Sequence, residues 1–409
     1  MQQLADLRSD FPMLKQPLIY FDTAATALKP KCVIDAMSDF YSNHYATVHR
    51  AIYKLSREAT MLYTQARERV QNFIGAKLAE EIIFTRGTTA SLNLLARSFG
   101  ETFIHPGDVI ILSEIEHHSN IVPWQMMAEK RGAVLRFLSV NDQGEIDLNQ
   151  LDELLDEKIK LVSIAHTSNV LGTIHPIEKI IEKTHSYGGL VCIDGAQSVP
   201  HLQIDVTKLD VDFFAFSGHK LYGPTGIGVL YGKKALLDQM VPVEGGGDMI
   251  DKVGLEEATF APLPLKFEAG TPMIAEAIGL ASAIDYLEEI GLSTIEQHET
   301  TLLNYATEQL TPIASILGTS KRKGAIISFN IPGVHPLDLV TLLDEYNIAL
   351  RTGHHCSQPT MKRFGITSAA RISFGLYNTK EEIDLFISAL KEVVTTLKEI
   401  PLAAPHSSL

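Results

Sequence analysis

Cysteine is scarce in this chain, with three among 409 residues. Cys32, Cys192 and Cys356 are widely spaced and odd in number, so they match neither a disulfide framework nor a zinc-binding pattern. Thiols stay reduced inside cells. The cysteine content therefore predicts a cytoplasmic protein, in which any special cysteine acts through its thiol.

Positive charge is also in short supply. The chain has 35 Lys and Arg against 49 Asp and Glu, a formal net charge of -14. Nucleic acids and anionic membrane surfaces are bound by basic patches. The charge balance therefore argues against both as partners.

Long apolar runs and the common nucleotide-binding signatures are missing as well. No stretch reaches the roughly 18 apolar residues of a membrane span. The polar start, residues 1–8, lacks the apolar segment of a signal peptide. Neither a Walker loop nor a dinucleotide fingerprint is present, and no metal-binding residue is predicted. With 45% apolar and 21% charged residues, the chain has an ordinary soluble globular composition.

Strand-like apolar runs alternate with helical patterns through much of the chain. Strands are predicted over residues 82–84, 109–112, 161–165, 190–193 and 211–216. The alternation predicts an α/β fold with a doubly wound, mostly parallel sheet covered on both faces. Polar residues follow the strand ends, which is where such sheets bind ligands.

The length predicts two domains, with the boundary where a long helix stops at Gly291. Residues 21–291 are expected to form the large domain, and residues 292–400 a smaller α+β C-terminal domain that carries Cys356. We expect residues 1–20 to pack on the small domain. Residues 401–409 are expected to form a flexible tail.

Lys220 lies just after the apolar strand that ends near Phe216, in the sequence Ser217–Gly218–His219–Lys220. A lysine in this position is suited to be a desolvated amine with a lowered pKa that forms a Schiff base. A surface lysine in a hairpin is the alternative. Taken alone, the stretch does not decide between them.

Three further features lie between strands and helices. Thr88 and Thr89 follow Gly87 at a helix start, where N–H groups and hydroxyls can hold one phosphate, although threonine is also an ordinary N-cap. Asp194 ends an apolar strand and is either an N-cap or the partner of a protonated ring nitrogen. His117 is able to stack on a flat cofactor, or to make only local hydrogen bonds.

The C-terminal part contributes a thiol and a guanidinium. Cys356 lies in a loop with Arg351, His354 and His355, an electropositive setting that raises thiol reactivity. A buried, inert cysteine is the alternative, and it suits Cys192 better. Arg371 is predicted to open a strand, available for a carboxylate or for an ion pair between domains. Together these features describe pyridoxal 5'-phosphate chemistry.

The chain resembles fold-type I pyridoxal phosphate enzymes of the class-V aminotransferase type, specifically the SufS group of cysteine desulfurases. The resemblance runs from about Phe11 to Leu397. It is carried by the segments Arg86–Thr89, Glu116–Trp124, Ser168–Gly172, Asp194–Gln197, Ser217–Lys220, Phe267–Pro272 and Arg351–Cys356.

The resemblance implies a role for each matching residue. Lys220, Cys356 and His117 are the catalytic candidates. The cofactor-binding candidates are Thr88, Thr89, His117, Asp194, Gln197, Ser217, His219, Lys220 and Thr271, the last reaching in from the other subunit of a homodimer. The substrate-binding candidates are Arg371, Asn169, His49 and His354. The implied reaction converts L-cysteine to L-alanine and leaves a persulfide on Cys356, which passes to an acceptor protein for iron–sulfur cluster assembly.

Two positions depart from the family pattern. Ala90 stands where some relatives carry an acidic residue, which would alter a subunit contact. Relatives that hand sulfur to a zinc-containing, SufU-like acceptor have a histidine near the position of Leu337, and this chain has His335 two residues away. The departure favours a SufE-like acceptor.

Other functions remain open at this point. A selenocysteine lyase or a class-V aminotransferase would use the same fold differently. A non-catalytic scaffold of a sulfur-transfer assembly is a third possibility, which the intact set of Lys220, Asp194 and Cys356 disfavours.

Overall fold

The computed structural model describes residues 7–399. The tail predicted for residues 401–409 lies outside this range, as do the first six residues of the predicted N-terminal segment. The strands are β1 Ile19–Tyr20, β2 Ile82–Thr85, β3 Val109–Ser113, β4 Val134–Leu138, β5 Ile159–Ala165, β6 Leu190–Asp194, β7 Phe213–Ser217, β8 Gly228–Gly232, β9 Ile250–Val253, β10 Ala258–Phe260, β11 Ser315–Leu317, β12 Ile326–Asn330, β13 Ile348–Ala349, β14 Arg351–Gly353 and β15 Ala369–Ser373.

The helices alternate with these strands. They are α1 Lys31–Asp39, α2 Lys54–Phe73, α3 Thr88–Phe103, α4 Val122–Arg131, α5 Leu148–Leu154, α6 Ile177–Ser186, α7 Lys234–Leu237, α8 Ile274–Ile290, α9 Leu292–Leu310, α10 Pro336–Asp344, α11 Gln358–Arg363 and α12 Lys380–Glu399.

The central sheet has seven strands in the order β2-β8-β7-β6-β5-β3-β4. Strands β4, β3, β5, β6 and β7 run parallel to one another, and β8 is antiparallel to both β7 and β2. The predicted mostly parallel sheet is therefore confirmed. Since parallel strands end at the same edge, the polar residues after β3, β5, β6 and β7 meet there.

Successive residues of the strands enter different cores, which shows that both faces of the sheet are covered. Ile82 and Ile111 belong to one apolar cluster, while Ile83, Ile110 and Leu112 belong to another. All these side chains are buried. Burial on both faces explains why these strands read as continuous apolar runs in the sequence.

A second sheet, antiparallel with the order β11-β12-β15-β14, lies in the C-terminal part. A separate apolar cluster covers it, with Leu302, Leu343 and Phe386 contributed by α9, α10 and α12. The division at Gly291 stays a prediction, because Leu292 and Ile295 at the start of α9 pack on the larger cluster.

The N-terminal segment contacts both parts of the chain. Strand β1 pairs in parallel with β13 of the C-terminal part, and Arg8 forms an ion pair with Glu382 at 2.7 Å. Phe11, however, lies among the rings of Tyr222, Tyr286 and Tyr377. The segment therefore contacts residues on both sides of the predicted domain boundary.

Two local details differ from the sequence-based expectation. No strand was predicted where the hairpin β9–β10 lies, because all but the first of its residues are exposed and no buried periodicity signals it. Arg371 is in the middle of β15 rather than at its start.

Candidate active site

A cavity of about 190 Å³ opens at the carboxyl ends of the central strands. Its walls come from the turns after β3, β5, β6 and β7, from the start of α3, and from β14 and β15 of the second sheet. Eleven of its lining residues were predicted as site residues: Thr88, Thr89, His117, Asn169, Asp194, Gln197, Ser217, His219, Lys220, Cys356 and Arg371.

Lys220 ends the short helical turn Gly218–Lys220 that directly follows β7. Burial lowers the pKa of its amine to about 8, with Asp194 opposing the shift and Arg371 adding to it. The turn needs glycine at position 218, because a Cβ there would come within 2.6 Å of Ile227 Cγ2. A fraction of Lys220 is therefore neutral, and able to act as a nucleophile or base, near neutral pH, where an ordinary lysine is almost fully charged.

Asp194 is the last residue of β6 and is buried. Its Oδ1 accepts a hydrogen bond from Ala196 N at 3.0 Å. Burial raises the pKa of the carboxyl, while that hydrogen bond and Lys220 lower it. A Cβ at the following Gly195 would overlap the ring of Phe214. The sequence Asp194–Gly195 is thus required by packing as well as by the site.

His117 follows β3 and faces the same cavity. Its Nδ1 accepts a hydrogen bond from Ser119 N at 3.0 Å. Burial, and then the charge of Lys220, lowers its pKa to about 3. The imidazole is therefore neutral, with its proton on Nε2.

The start of α3 provides an anion-binding end. Ser217 Oγ accepts a hydrogen bond from Thr88 N at 2.8 Å and lies 2.7 Å from Thr88 Oγ1. Thr89 Oγ1 lies 2.6 Å from Ser119 Oγ. Gly87, the N-cap, has a φ of 147°, which suits glycine. Hydroxyls and N–H groups thus converge at a helix start, as phosphate binding requires.

Arg371 and Arg351 lie directly opposite each other on β15 and β14, and both line the cavity. Asp22 lies between them, with Oδ1 3.1 Å from Arg371 Nη2 and Oδ2 3.2 Å from Arg351 Nε. Arg371 Nη1 donates to Asn169 O at 2.9 Å. Two cations and one anion leave one net positive charge, which suits one carboxylate of a ligand.

Arg371 also has an unused donor. Its Nε is buried without a hydrogen-bond partner among residues 7–399. Burial lowers the pKa of Arg371, with Asp22 opposing the shift. An unpaired buried donor is costly, so a ligand carboxylate at this position would stabilise the site.

Cys356 lies in the loop after β14 and is exposed at the cavity. His355 and Cys356 have φ values of 50° and 55°, in the left-handed region that costs energy for residues other than glycine. Asn169 Nδ2 donates to His355 O at 2.8 Å, and His118 N donates to Cys356 O at 2.7 Å. These contacts hold the thiol at the cavity.

Three predicted site residues lie away from the cavity. Thr271 lines a neighbouring groove of about 990 Å³ that shares Thr88 and Ser217 with the cavity. His49 packs its ring 5.7 Å from that of Tyr63. His354 is exposed, and its Nδ1 accepts a hydrogen bond from Cys356 N at 3.1 Å.

Sequence reasoning missed several residues of the site. The sequence indicated Arg351 only as part of an electropositive loop, and it gave no indication that Asp22 belongs to the site. Their meeting with Arg371 depends on strand register, which leaves no local signal. Ser119, Thr167 and the buried His355 line the cavity as well. Ser119 has a local signal, since it lies two residues after His117 in the helical turn His118–Asn120.

Comparison with known proteins places the chain in a family. The model for aminotransferase class-V matches residues 19–386. The chain belongs to this class-V aminotransferase family. Family membership confirms the predicted resemblance, the fold-type I architecture, the enzymatic nature of the protein and pyridoxal 5'-phosphate as its cofactor.

Similar members of the family share one description. A probable cysteine desulfurase of Halalkalibacterium halodurans is 50% identical over 95% of this chain and 97% of its own length. A cysteine desulfurase of Dickeya dadantii is 49% identical over 96% of this chain and 97% of its own length. The apo structure of a cysteine desulfurase from Thermococcus onnurineus superposes with a TM-score of 0.92 at 42% identity, covering 96% of this chain and 98% of the other.

The residues of the cavity fit the family's cofactor. A hydroxyl-rich helix start, a partly neutral lysine and a buried carboxylate line one cavity. These groups suit, respectively, the phosphate, the aldehyde and the ring nitrogen of the cofactor. Two features are absent from residues 7–399. No cluster of three or more His, Cys, Asp or Glu there is arranged to hold a metal ion. Within the same range, no helix is long and apolar enough to cross a membrane.

Proposed function

We propose that the protein is a cysteine desulfurase of the SufS type. It converts L-cysteine to L-alanine and leaves a persulfide on Cys356. The observation that carries this proposal is the position of the Cys356 thiol, which lines the same cavity as Lys220 and Arg371. An aminotransferase has no need of a thiol at this place, whereas a sulfur-abstracting enzyme requires one.

The cofactor supplies an electron sink that stabilises negative charge on the substrate Cα. Thr88, Thr89, Ser217 and His219 would hold its phosphate, with Thr271 of a second subunit completing that end. Asp194 would keep a proton on the ring nitrogen, and Gln197 would lie near the phenolic oxygen. His117, being neutral, would stack on the ring.

Substrate binding relies on the guanidinium of Arg371, assisted by Asn169. Arg371 Nε is a buried donor without a partner among residues 7–399, and the substrate carboxylate would satisfy it. His49 and His354 stay candidate substrate contacts of lower weight, because neither lines the cavity. Lys220 removes the Cα proton, for which its pKa of about 8 is suited.

Sulfur transfer is a displacement at the substrate sulfur. The thiolate of Cys356 attacks it, the S–S bond forms as the substrate Cβ–S bond breaks, and the electron pair stays on the three-carbon fragment. That fragment becomes L-alanine by taking up a proton at Cβ and by regaining the Cα proton that Lys220 removed. His117 is the candidate that moves a proton between the substrate thiol and this fragment.

The same proposal extends to partners. The protein is proposed to act as a cytoplasmic homodimer, since the groove with Thr271 continues from the cavity and would be closed by a second subunit. A SufE-like acceptor for iron–sulfur cluster assembly is favoured. His335 is the histidine nearest Leu337, the position where relatives with a zinc-containing acceptor carry a histidine. It is the N-cap of α10, where its Nδ1 accepts a hydrogen bond from Leu337 N at 3.2 Å.

The test is product analysis with L-cysteine. We expect equal amounts of alanine and sulfane sulfur, with the sulfur found on Cys356 by mass spectrometry. Cys356→Ser should lose alanine production from cysteine while keeping its cofactor absorption, and Lys220→Ala should lose turnover altogether. Undiminished sulfide release by Cys356→Ser would refute the persulfide route. Activity of the unaltered protein on selenocysteine but not on L-cysteine would indicate a selenocysteine lyase.

A further inference from the structure

The loop that carries Cys356 is tied to the turn after β3 by one side chain, His118. The backbone amide of Gln358 donates a hydrogen bond to His118 Nε2 at 3.0 Å. In the opposite direction, the backbone N–H of His118 donates to Cys356 O at 2.7 Å. Both bonds hold the loop on the C-terminal side of the thiol, at Cys356 O and at Gln358 N.

This tie is needed because the loop conformation is unfavourable by itself. His355 and Cys356 both have positive φ values, and such backbone conformations persist only where surrounding contacts determine them. Asn169 contacts the loop before the thiol, at His355 O. The imidazole of His118 contacts it after the thiol, at Gln358 N.

The tie works only while His118 is neutral. Its Nε2 accepts a hydrogen bond, so the ring proton is on Nδ1. Protonation would turn Nε2 into a donor facing the N–H of Gln358, and the bond would be lost. The neighbouring titratable groups are His117 and His354, with ring centroids 6.3 and 5.6 Å from that of His118, and the thiol of Cys356. Burial, and then His354, lowers the pKa of His118, which keeps the ring neutral at neutral pH.

We propose that His118 is a positioning residue that holds the Cys356 loop against the site and releases it on acidification. This inference rests on the proposed function only where turnover is measured. His118 does not line the cavity, so its role is distinct from that of His117.

Hydrogen exchange of the loop tests the proposal directly. In the holoenzyme, His118→Leu removes the acceptor, and we expect the amide of Gln358 to exchange about fivefold faster, roughly what one hydrogen bond is worth. His118→Gln supplies a carbonyl oxygen and should retain most of the protection. His105→Leu, at an exposed histidine of another loop, is the matched control and should match the unaltered protein.

The pH dependence of amide exchange and the turnover rate give two further readouts. Protection normalised to the intrinsic exchange rate should fall as the pH drops through the pKa of His118, and it should stay flat in His118→Gln. With L-cysteine, His118→Leu should lower kcat for alanine about fivefold at unchanged KM, and His118→Gln should recover it. Unaltered protection and kcat in His118→Leu would overturn the proposal. Were the unaltered protein to form no alanine, the proposed function would fail, while the exchange data would still decide the role of His118.

Discussion

The buried ion pair Arg67–Glu268 offers a quantitative test of how the site wall is held. Arg67 Nη1 and Nη2 donate to the two oxygens of Glu268 at 2.7 and 2.8 Å, and both side chains are less than a tenth exposed. Phe84 N and Tyr63 Oη donate to the same carboxylate at 2.7 and 3.1 Å. Four hydrogen bonds therefore converge on one group between β2 and the segment that leads to Thr271.

The perturbation is the isosteric change Glu268→Gln. It leaves the guanidinium of Arg67 buried without a counter-charge and turns one acceptor oxygen into a donor. Breaking a buried pair in this way costs about 3–5 kcal/mol of unfolding free energy. We expect a loss in that range, measured by urea unfolding of the holoenzyme.

The control is an exposed ion pair of Arg69, which lies two residues after Arg67 in α2. Arg69 pairs with Asp285 at 2.5 Å, and the Asp285 side chain is 61% exposed. Water screens such a pair, so Asp285→Asn should cost about 0–1 kcal/mol. A loss in Glu268→Gln no larger than that of the control would refute the assignment of Glu268 as a structural anchor.

Three further predictions concern the site and its surroundings. In the apo protein, amine-directed labelling of Lys220 should rise with an apparent pKa of about 8, because burial favours the neutral amine at a pH where an ordinary lysine is still charged; labelling that rises only near the ordinary lysine value would contradict this. Iodoacetamide should modify Cys356 and spare Cys192, whose pKa is raised by burial, as peptide mapping would show. Gly195→Ala should destabilise the protein by about 1–3 kcal/mol through overlap with the Phe214 ring, and an unchanged urea midpoint would contradict that packing argument.

The part of the site that could be predicted from sequence is the part built on local signals. Lys220, Asp194 and His117 each follow an apolar strand, and the parallel sheet brings strand ends to one edge whatever the details of packing. Gly87 and Thr88 mark a helix start in the same local way. The resemblance to the family then implied a role for each of these residues.

What could not be predicted depends on contacts between distant segments. Asp22 meets Arg371 and Arg351 through strand pairing between the start and the end of the chain, and no periodicity encodes that register. The hydrogen bonds of Asn169 and His118 to the Cys356 loop likewise join segments that are far apart in the sequence. The hairpin β9–β10 was missed because its exposed residues lack an alternating apolar pattern.

The strand pair β14–β15 bears on how far apart the carboxylate and the sulfur of a substrate can lie. Arg371 lies opposite Arg351 in this pair, and β14 leads directly into the loop of Cys356. The proposed carboxylate-binding group thus lies on a hydrogen-bonded ribbon, and the thiol lies on the loop that continues β14 beyond Gly353. An amino acid whose sulfur lies one methylene further from its carboxylate would present that sulfur at the wrong point of the ribbon. Under the proposed roles of Arg371 and Cys356, the same two strands would favour substrates of one chain length.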